Sequence, residues 1–232
     1  MPARAPRRAA RLLLAAAVAV ALSGVLAACG DVSWEPQPSP VPGVGNLTTE
    51  DRTAGDFTRV SVGAKVKVVA REAPELKVTV EAQQNLLPLI KTEVLDGQLV
   101  VNIPPPGVST SQPITVTIDA PMIESFTIGS GATGYVEVVG DRLNLDASGG
   151  ATLTAIGDIG DARLTTSASS HAELAELKVA RATVALSDGS SATMNVVSSV
   201  TGTASGGSTL TLVQKPASVA VETSGGATVQ GG

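Results

Sequence analysis

A short mark of small residues, Ser-Gly-Gly-Ala or a near copy of it, recurs along the second half of the chain. Its copies end at Ala132, Ala151, Ala172, Ala192, Ser208 and Ala227, so they are 19, 21, 20, 16 and 19 residues apart. Sequence typical of β-strands separates the marks. A period near twenty residues predicts stacked coils, each of which packs mainly on its neighbours.

Apolar residues occupy every second position through most of the chain after residue 56. In residues 57–80 the apolar side chains alternate with polar ones, among them Lys65, Lys67, Lys77 and Thr79. A period of two is that of a β-strand with one buried face. The same alternation flanks each small-residue mark, which predicts a strand, a tight corner and a second strand in every repeat.

Three local features refine this prediction. Pro88 cannot donate a backbone hydrogen bond, so it marks a sheet edge, a bend or a loop. Asp96 and Gly97 separate two apolar runs and predict a hairpin turn. Residues 171–181 are the best candidate for a helical turn, although their place in the repeat favours a longer coil.

Small residues at the corners suit stacked coils because equivalent side chains lie almost on top of one another, about 4.8 Å apart. Some corner positions also require φ angles that are open mainly to glycine. We therefore expect an all-β, single-stranded parallel β-helix with a partly antiparallel N-terminal region. The alternative is a β-sandwich or a β-roll, in which the same marks would close antiparallel hairpins.

The N-terminus has the features of an export signal. Four arginines precede an apolar run at residues 12–28, and Leu26-Ala27-Ala28-Cys29 resembles the lipobox of bacterial lipoproteins. The resemblance implies cleavage before Cys29 and attachment of lipid, including palmitate, to that residue. The alternative is an uncleaved membrane helix, for which 17 apolar residues that include Ser23 and Gly24 are marginal.

These features divide the chain into a lipoprotein signal peptide at 1–28, a Pro-rich tether at 29–55 and a β-helix domain at 56–232. The alternating prolines of the tether favour an extended conformation that lifts the domain from the membrane. Cys29 is the only cysteine, so the domain has no internal disulfide. After cleavage, 12 basic and 21 acidic residues remain, a balance that disfavours nucleic acid and anionic lipid headgroups as partners.

The repeated Gly-Ser-Gly marks resemble those of the DUF2807 family, the auto-transporter adhesin head GIN domain. The opening at 57–68, the segment 96–101 and the segment 121–126 resemble that family as well. The likeness spans about 57–229 and implies a right-handed β-helix without catalytic residues, and a role in adhesion. Ser169-Ser170-His171 departs from the pattern because both glycines are replaced, so we expect a looser corner there.

Two motifs suggest catalytic or cofactor chemistry, and neither has the context that the chemistry needs. Residues 129–134 match the dinucleotide pattern G-x-G-x-x-G, but a strand follows them instead of the required helix. His171 is the only histidine and has Ser167, Ser169 and Glu173 nearby, without an oxyanion signature. We expect the first to be a corner and the second an exposed polar residue.

Acidic residues at the loops and corners are the remaining candidates, because β-helix enzymes cleave polysaccharides with clustered acids and calcium. They are Asp141, Asp146, Asp158, Asp161 and Asp188. Asp146, Asp188 and Glu222 take equivalent places in their repeats, with uncharged residues between them, so we expect no stacked run of three acids. Arg142, Arg163 and Arg181 look scattered. Few aromatic residues are present, and only Tyr135 is expected at the surface, which argues against a typical lectin site.

The sequence thus predicts a non-catalytic, lipid-anchored interaction or adhesion module of the cell envelope, with no catalytic, cofactor or metal site. Its expected partners are the membrane, through Cys29, and an envelope protein or glycan. The open ends of a solenoid also permit end-on homo-oligomers. The alternatives are a polysaccharide-active β-helix enzyme and an envelope stress or structural scaffold.

Overall fold

Alternation of apolar and polar residues produces seventeen β-strands in residues 38–232, the part of the chain that the computed structural model describes. One 3₁₀ turn, Leu87–Leu89, is the only helical element of these residues. The strands are β1 (Val41–Pro42), β2 (Leu47–Arg52), β3 (Arg59–Val62), β4 (Lys67–Glu72), β5 (Lys77–Gln83), β6 (Lys91–Leu95), β7 (Gln98–Asn102), β8 (Val108–Ser109), β9 (Thr115–Ala120), β10 (Ser125–Ile128), β11 (Thr133–Ala147), β12 (Thr152–Thr166), β13 (His171–Leu186), β14 (Ser191–Ala204), β15 (Thr209–Leu212), β16 (Ser218–Thr223) and β17 (Thr228–Gly231).

The long strands β11 to β14 stack in parallel, each paired along most of its length with the next. In each strand the alternation of buried and exposed residues breaks near the middle, for example at 139–142 in β11. The first half of β11 pairs with β4, and its second half pairs with β10. Each coil therefore contains two strand segments joined by a bend. The predicted parallel β-solenoid is confirmed, and residues 171–181 belong to a strand.

Four-residue turns connect the coils, and they lie in one column that we call the turn column. In each turn the N–H of the fourth residue donates to the carbonyl of the first, as from Ala151 to Ser148 at 3.3 Å. Successive turns are bonded to each other, as from the Gly150 N–H to the Ala168 oxygen at 2.9 Å. Both central residues have positive φ, which is 61° at Gly149 and 73° at Gly150. This is the backbone of a type I′ turn.

The turn column corrects the alignment of two marks. The turns occupy 129–132, 148–151, 167–170, 187–190, 205–208 and 224–227, so successive coils contain 19, 19, 20, 18 and 19 residues. Residues 169–172 and 190–192, which the sequence pattern identified as marks, lie two residues too far along. The expectation of a looser corner there is wrong, because Ala168 and Ser169 adopt φ of 50° and 59° and the Ser170 N–H bonds Ser167 as in the other turns.

The N-terminal region is mixed, as predicted. β6 and β7 form an antiparallel hairpin through Asp96 and Gly97, which have φ of 49° and 72°. β5 pairs antiparallel with both β2 and β9, and β9 pairs parallel with β4. Pro88 lies in the 3₁₀ turn that precedes this hairpin.

The folded unit includes residues that the sequence assigned to the tether. β1 and β2 fall within 29–55, and β2 forms six register pairs with β5. Asn85 binds the chain where it enters the unit, because its Oδ1 accepts the Val44 N–H at 2.8 Å and its Nδ2 donates to Pro42 O at 2.8 Å. The signal peptide and Cys29 lie outside the described residues.

Aliphatic side chains from both segments of every coil fill one continuous core. Phe126 is fully buried and occupies the space that Gly134 leaves free, since a Cβ on Gly134 would lie 2.6 Å from the Phe126 ring. Bulk on one strand is thus matched by a missing side chain on its neighbour, which keeps the interior close-packed. Residues 38–232 contain no helix with the length and apolarity that crossing a bilayer needs.

Candidate functional site

A cleft of about 770 Å³ opens beside the bends that join the two segments of each coil. We call it the bend cleft. One wall is the loop at 121–124, and the other consists of the bends of β11, β12 and β13 at 139–142, 159–161 and Arg181. The bends lie in register, so polar residues from three successive coils meet along this wall.

An arginine, an aspartate and an arginine form one column in the cleft, because Arg142 pairs in register with Asp161 and Asp161 with Arg181. Arg181 donates two hydrogen bonds of 2.7 Å to Asp161, from Nε and from Nη2. These bonds and the charges of Arg181 and Arg142 lower the pKa of the Asp161 carboxyl below its usual value. The expectation that the arginines are scattered is therefore wrong for Arg142 and Arg181.

Two further carboxylates of the cleft are occupied by structural hydrogen bonds. Glu72 accepts the N–H of Val139 at 2.9 Å on Oε2 and that of Ile123 at 3.3 Å on Oε1. Glu124 accepts the Thr58 hydroxyl at 2.8 Å. These contacts tie the end of β4 and the loop at 121–124 to the first bend. They account for two carboxylates without catalysis.

The chemistry of the bend cleft is that of an ion-pair network. A general acid needs a carboxyl that holds its proton near neutral pH, and the lowered pKa of Asp161 is opposite to that requirement. Among the carboxylates that line the cleft, Asp141 alone has no hydrogen bond within residues 38–232. Within the described part of the chain, no three histidine, cysteine or acidic side chains are grouped as metal ligands.

The other candidate residues lie apart from the cleft. His171 begins β13 on an exposed face, with Nδ1 2.7 Å from the Ser191 hydroxyl and Nε2 3.8 Å from Glu173. Residues 129–134 form the first turn of the turn column and the start of β11, so their glycines serve a corner. Arg163 pairs in register with Asn144 and Thr183 on the second segment, outside the bends.

Asp146 and Asp188 do not take equivalent places, which corrects the alignment made from the sequence. Asp146 lies on β11 in a column with Thr165, Ala185, Thr203 and Glu222, whereas Asp188 lies in a turn. Partial burial raises the pKa of Asp146 above its usual value. Asp158 lies 3.5 Å from Lys178, as an exposed ion pair.

A second groove, of about 750 Å³, lies at the other side of the first coil, next to the turn column. We call it the lysine groove. Lys65 and Lys67 line it together with the loop at 103–114 and residues 130–133. Sequence reasoning placed both lysines on the solvent face of a strand and found no site, because the loop that completes the groove is 36 or more residues away in the chain.

A family model matches residues 56–216, which is more than two thirds of the chain, and its description is "Putative auto-transporter adhesin, head GIN domain". The chain belongs to this family, DUF2807. The likeness inferred from the small-residue marks and from the segments around them is thereby confirmed. A comparison with curated proteins returned no match.

Solved structures of low sequence identity share the fold of the DUF2807 chain. One is described as a "putative adhesin" from Bacteroides fragilis, with 14% identity and a TM-score of 0.63 over 82% of this chain and 99% of that one. Another "putative adhesin", from Parabacteroides merdae, has 15% identity and a TM-score of 0.55 over 84% and 100%. A "Putative lipid binding protein" from Parabacteroides distasonis has 11% identity and a TM-score of 0.53 over 84% and 100%.

Proposed function

We propose that this protein is a lipid-anchored adhesion or interaction module of the cell envelope that does not catalyse a reaction. The observation that carries the proposal is a stiff β-solenoid, of a family described as adhesin heads, whose bend cleft is filled by structural ion pairs and hydrogen bonds. A solenoid that is hydrogen-bonded from coil to coil presents extended, rigid faces. Such faces suit the binding of a partner without a conformational change.

The lipid anchor follows from the chain before the folded unit. Four arginines, an apolar run and the residues before Cys29 form a lipoprotein signal in the sequence, and the prolines at 36, 38, 40 and 42 favour an extended spacer. One acyl chain holds a protein on a bilayer only weakly, so stable attachment takes at least two lipid signals. Diacylglyceryl modification of Cys29 and acylation of its new amino group supply them.

The anchor is tested by expressing the full chain in a bacterium that is fed an alkyne fatty acid. We expect the wild-type chain to become labelled, to lose 28 residues and to sediment with membranes. Cys29→Ala should lose the label and retain the leader, whereas Ser23→Ala, a matched change outside the lipobox, should behave like the wild type. An unlabelled wild-type chain, or a labelled Cys29→Ala variant, contradicts the anchor.

Adhesion is tested with beads that carry the full chain and are exposed to cell-envelope material and extracellular polymer under flow. We expect retention by the folded chain and none by beads with the same chain after thermal unfolding. Retention that is equal for folded and unfolded chains contradicts a role for the solenoid surface.

Catalysis on polysaccharides is the competing function, and the bend cleft is where it would occur. The assay incubates the full chain with neutral and acidic polysaccharides and measures new reducing ends and unsaturated uronic acids. We expect no release above the level of an Asp141→Asn/Arg142→Gln double variant, which removes the least constrained acid and base of the cleft. Release by the wild type that this variant loses contradicts a non-catalytic role.

A further inference from the structure

The lysine groove is a basic site on an acidic protein. The chain carries a net charge of −5, and 12 basic against 21 acidic residues follow the signal peptide. Lys65 and Lys67 are exposed, and within residues 38–232 neither ammonium lies within 4 Å of a carboxylate. Lys178, by contrast, lies 3.5 Å from Asp158. No acidic side chain lines the groove, so the two positive charges act on whatever enters it.

The walls of the lysine groove are held in place by the fold. Loop 103–114 pairs through β8 with β1, and the Val41 N–H donates to Gly107 O at 3.0 Å. The Thr110 hydroxyl donates to Gln83 at 2.7 Å, which ties the same loop to β5. A groove that is formed before a ligand arrives loses little conformational entropy on binding.

The lining combines charge, hydroxyl groups and apolar surface. Ser109, Ser111 and Ser130 contribute hydroxyls, while Ile103 and Val108 contribute partly buried apolar side chains. A sugar ring has the complementary surface, with hydroxyls at its edge and C–H groups on its faces. Ammonium groups beside such a surface add recognition of a carboxylate through charge-assisted hydrogen bonds.

An aromatic ring extends this surface along the first strand segment. Thr133, at the rim of the groove, pairs in register with Lys67, and Tyr135 pairs with Val69. All four residues point outward in the alternation of β4 and β11, and Tyr135 is half-buried. Two residues along a strand span about 7 Å, so a ligand that fills the groove and covers Tyr135 contains more than one sugar ring. The ring face provides stacking for an apolar sugar face.

We propose that the lysine groove, extended by Tyr135, binds an acidic glycan whose sugar carboxylates meet Lys65 and Lys67. This inference rests on the proposed adhesive function and names the class of its ligand. Two lysines surrounded by an acidic surface suit discrete carboxylates better than the dense phosphates of a nucleic acid or an anionic bilayer, which need clustered cations. Glu81, across Thr115 from Lys67 in the sheet, sets an acidic limit on that side.

The test measures binding of hexagalacturonate to the full chain in detergent by calorimetry, with the fully methyl-esterified oligosaccharide as the uncharged probe. We expect the acidic probe to bind, the ester to bind at least tenfold more weakly, and added salt to weaken the acidic probe. Lys65→Gln/Lys67→Gln should weaken binding roughly tenfold, since an exposed ion pair contributes about 0.2–1 kcal/mol. Lys178→Gln/Lys215→Gln makes the same charge change elsewhere and should leave binding unchanged.

Tyr135 is tested by two variants. Tyr135→Phe retains the ring and should retain binding, whereas Tyr135→Leu should lose several-fold. Thermal melts of every variant establish that the chain remains folded. Equal binding by the two lysine double variants, or no binding of hexagalacturonate, overturns the proposal. So does displacement by short-chain phosphatidylglycerol with no response to the glycan. Adhesion that persists in Lys65→Gln/Lys67→Gln rejects the glycan site alone, while loss of all adhesion by the wild type rejects the proposed function.

Discussion

Glycines in the solenoid meet two different constraints. In the turn column the positive φ values lie between 50° and 80°, and serine, alanine and aspartate take some of these positions, as at Ser130, Ala168 and Asp188. Gly157 and Gly202 have φ of 129° and 135°, and a Cβ there would lie 1.7 Å from Val138 O and 1.9 Å from Val184 O. The turn positions tolerate a side chain, whereas Gly157 and Gly202 have no space for one.

Gly157→Ala should destabilise the protein by about 2–5 kcal/mol, because the new methyl group overlaps the Val138 backbone and the φ angle is strained. The matched change Gly207→Ala lies in a turn at φ 73° with no atom within 4 Å of the new Cβ. It should cost about 1 kcal/mol, the strain of a left-handed residue. Urea denaturation of both variants measures the difference. Equal costs would mean that the backbone around Gly157 relaxes freely.

At the scale of the element, the turn column combines strained backbone with an internal polar ladder. The fourth residue of each turn points into the core and is alanine in three turns and serine in the others, Ser170, Ser190 and Ser208. Ser170 donates to Ala147 O at 2.6 Å, and the Ser190 hydroxyl lies 3.0 Å from that of Thr166. The Ser208 hydroxyl is buried without a hydrogen-bond partner in residues 38–232. Since alanine fits the equivalent positions, the serines differ only in their bonds.

Ser170→Ala and Ser208→Ala should therefore change stability in opposite directions. The first removes a buried hydrogen bond and should cost about 1 kcal/mol. The second removes a buried hydroxyl that is unsatisfied and should be neutral or stabilising by about 1 kcal/mol. Thermal and urea unfolding of both variants gives the comparison. A loss of stability in Ser208→Ala would show that its hydroxyl has a partner, for instance an ordered water.

The coils were predictable from sequence because the alternation and the small corners repeat, but the exact turns were not. Ser167–Ala168–Ser169–Ser170 lacks glycine, so the pattern was read two residues late, and the register of the acids shifted with it. β2 escaped notice because Leu47-Thr-Thr-Glu-Asp-Arg is almost fully exposed and does not alternate. The Arg142–Asp161–Arg181 column depends on bends of unequal length, and the lysine groove depends on a loop distant in sequence. Neither arrangement leaves a local signal.

At the scale of the molecule, strand pairing is uneven along the solenoid. β12 and β13 have parallel neighbours on both sides, whereas β16 pairs with β14 and β17 pairs with β15 in the described residues. The core thins in the same direction, because Val200 is 0% exposed and its register partner Val219 is 47% exposed. Solenoid stability is approximately a sum of coil and interface terms, so the coil with fewer interfaces opens at lower free energy.

Hydrogen exchange should reveal this gradient. We expect amides of β12 and β13 to exchange only through openings close to global unfolding, and those of β16 and β17 to exchange at least 100-fold faster, since one missing interface lowers the opening free energy by a few kcal/mol. Mass spectrometry of peptides from the full chain in detergent measures both regions in one experiment. Val200→Ala, beneath β16, should accelerate exchange in β16 and leave β4 and β9 unchanged. Uniform protection along all coils would contradict a solenoid whose coils are stabilised by their nearest neighbours, and would require coupling over the whole stack.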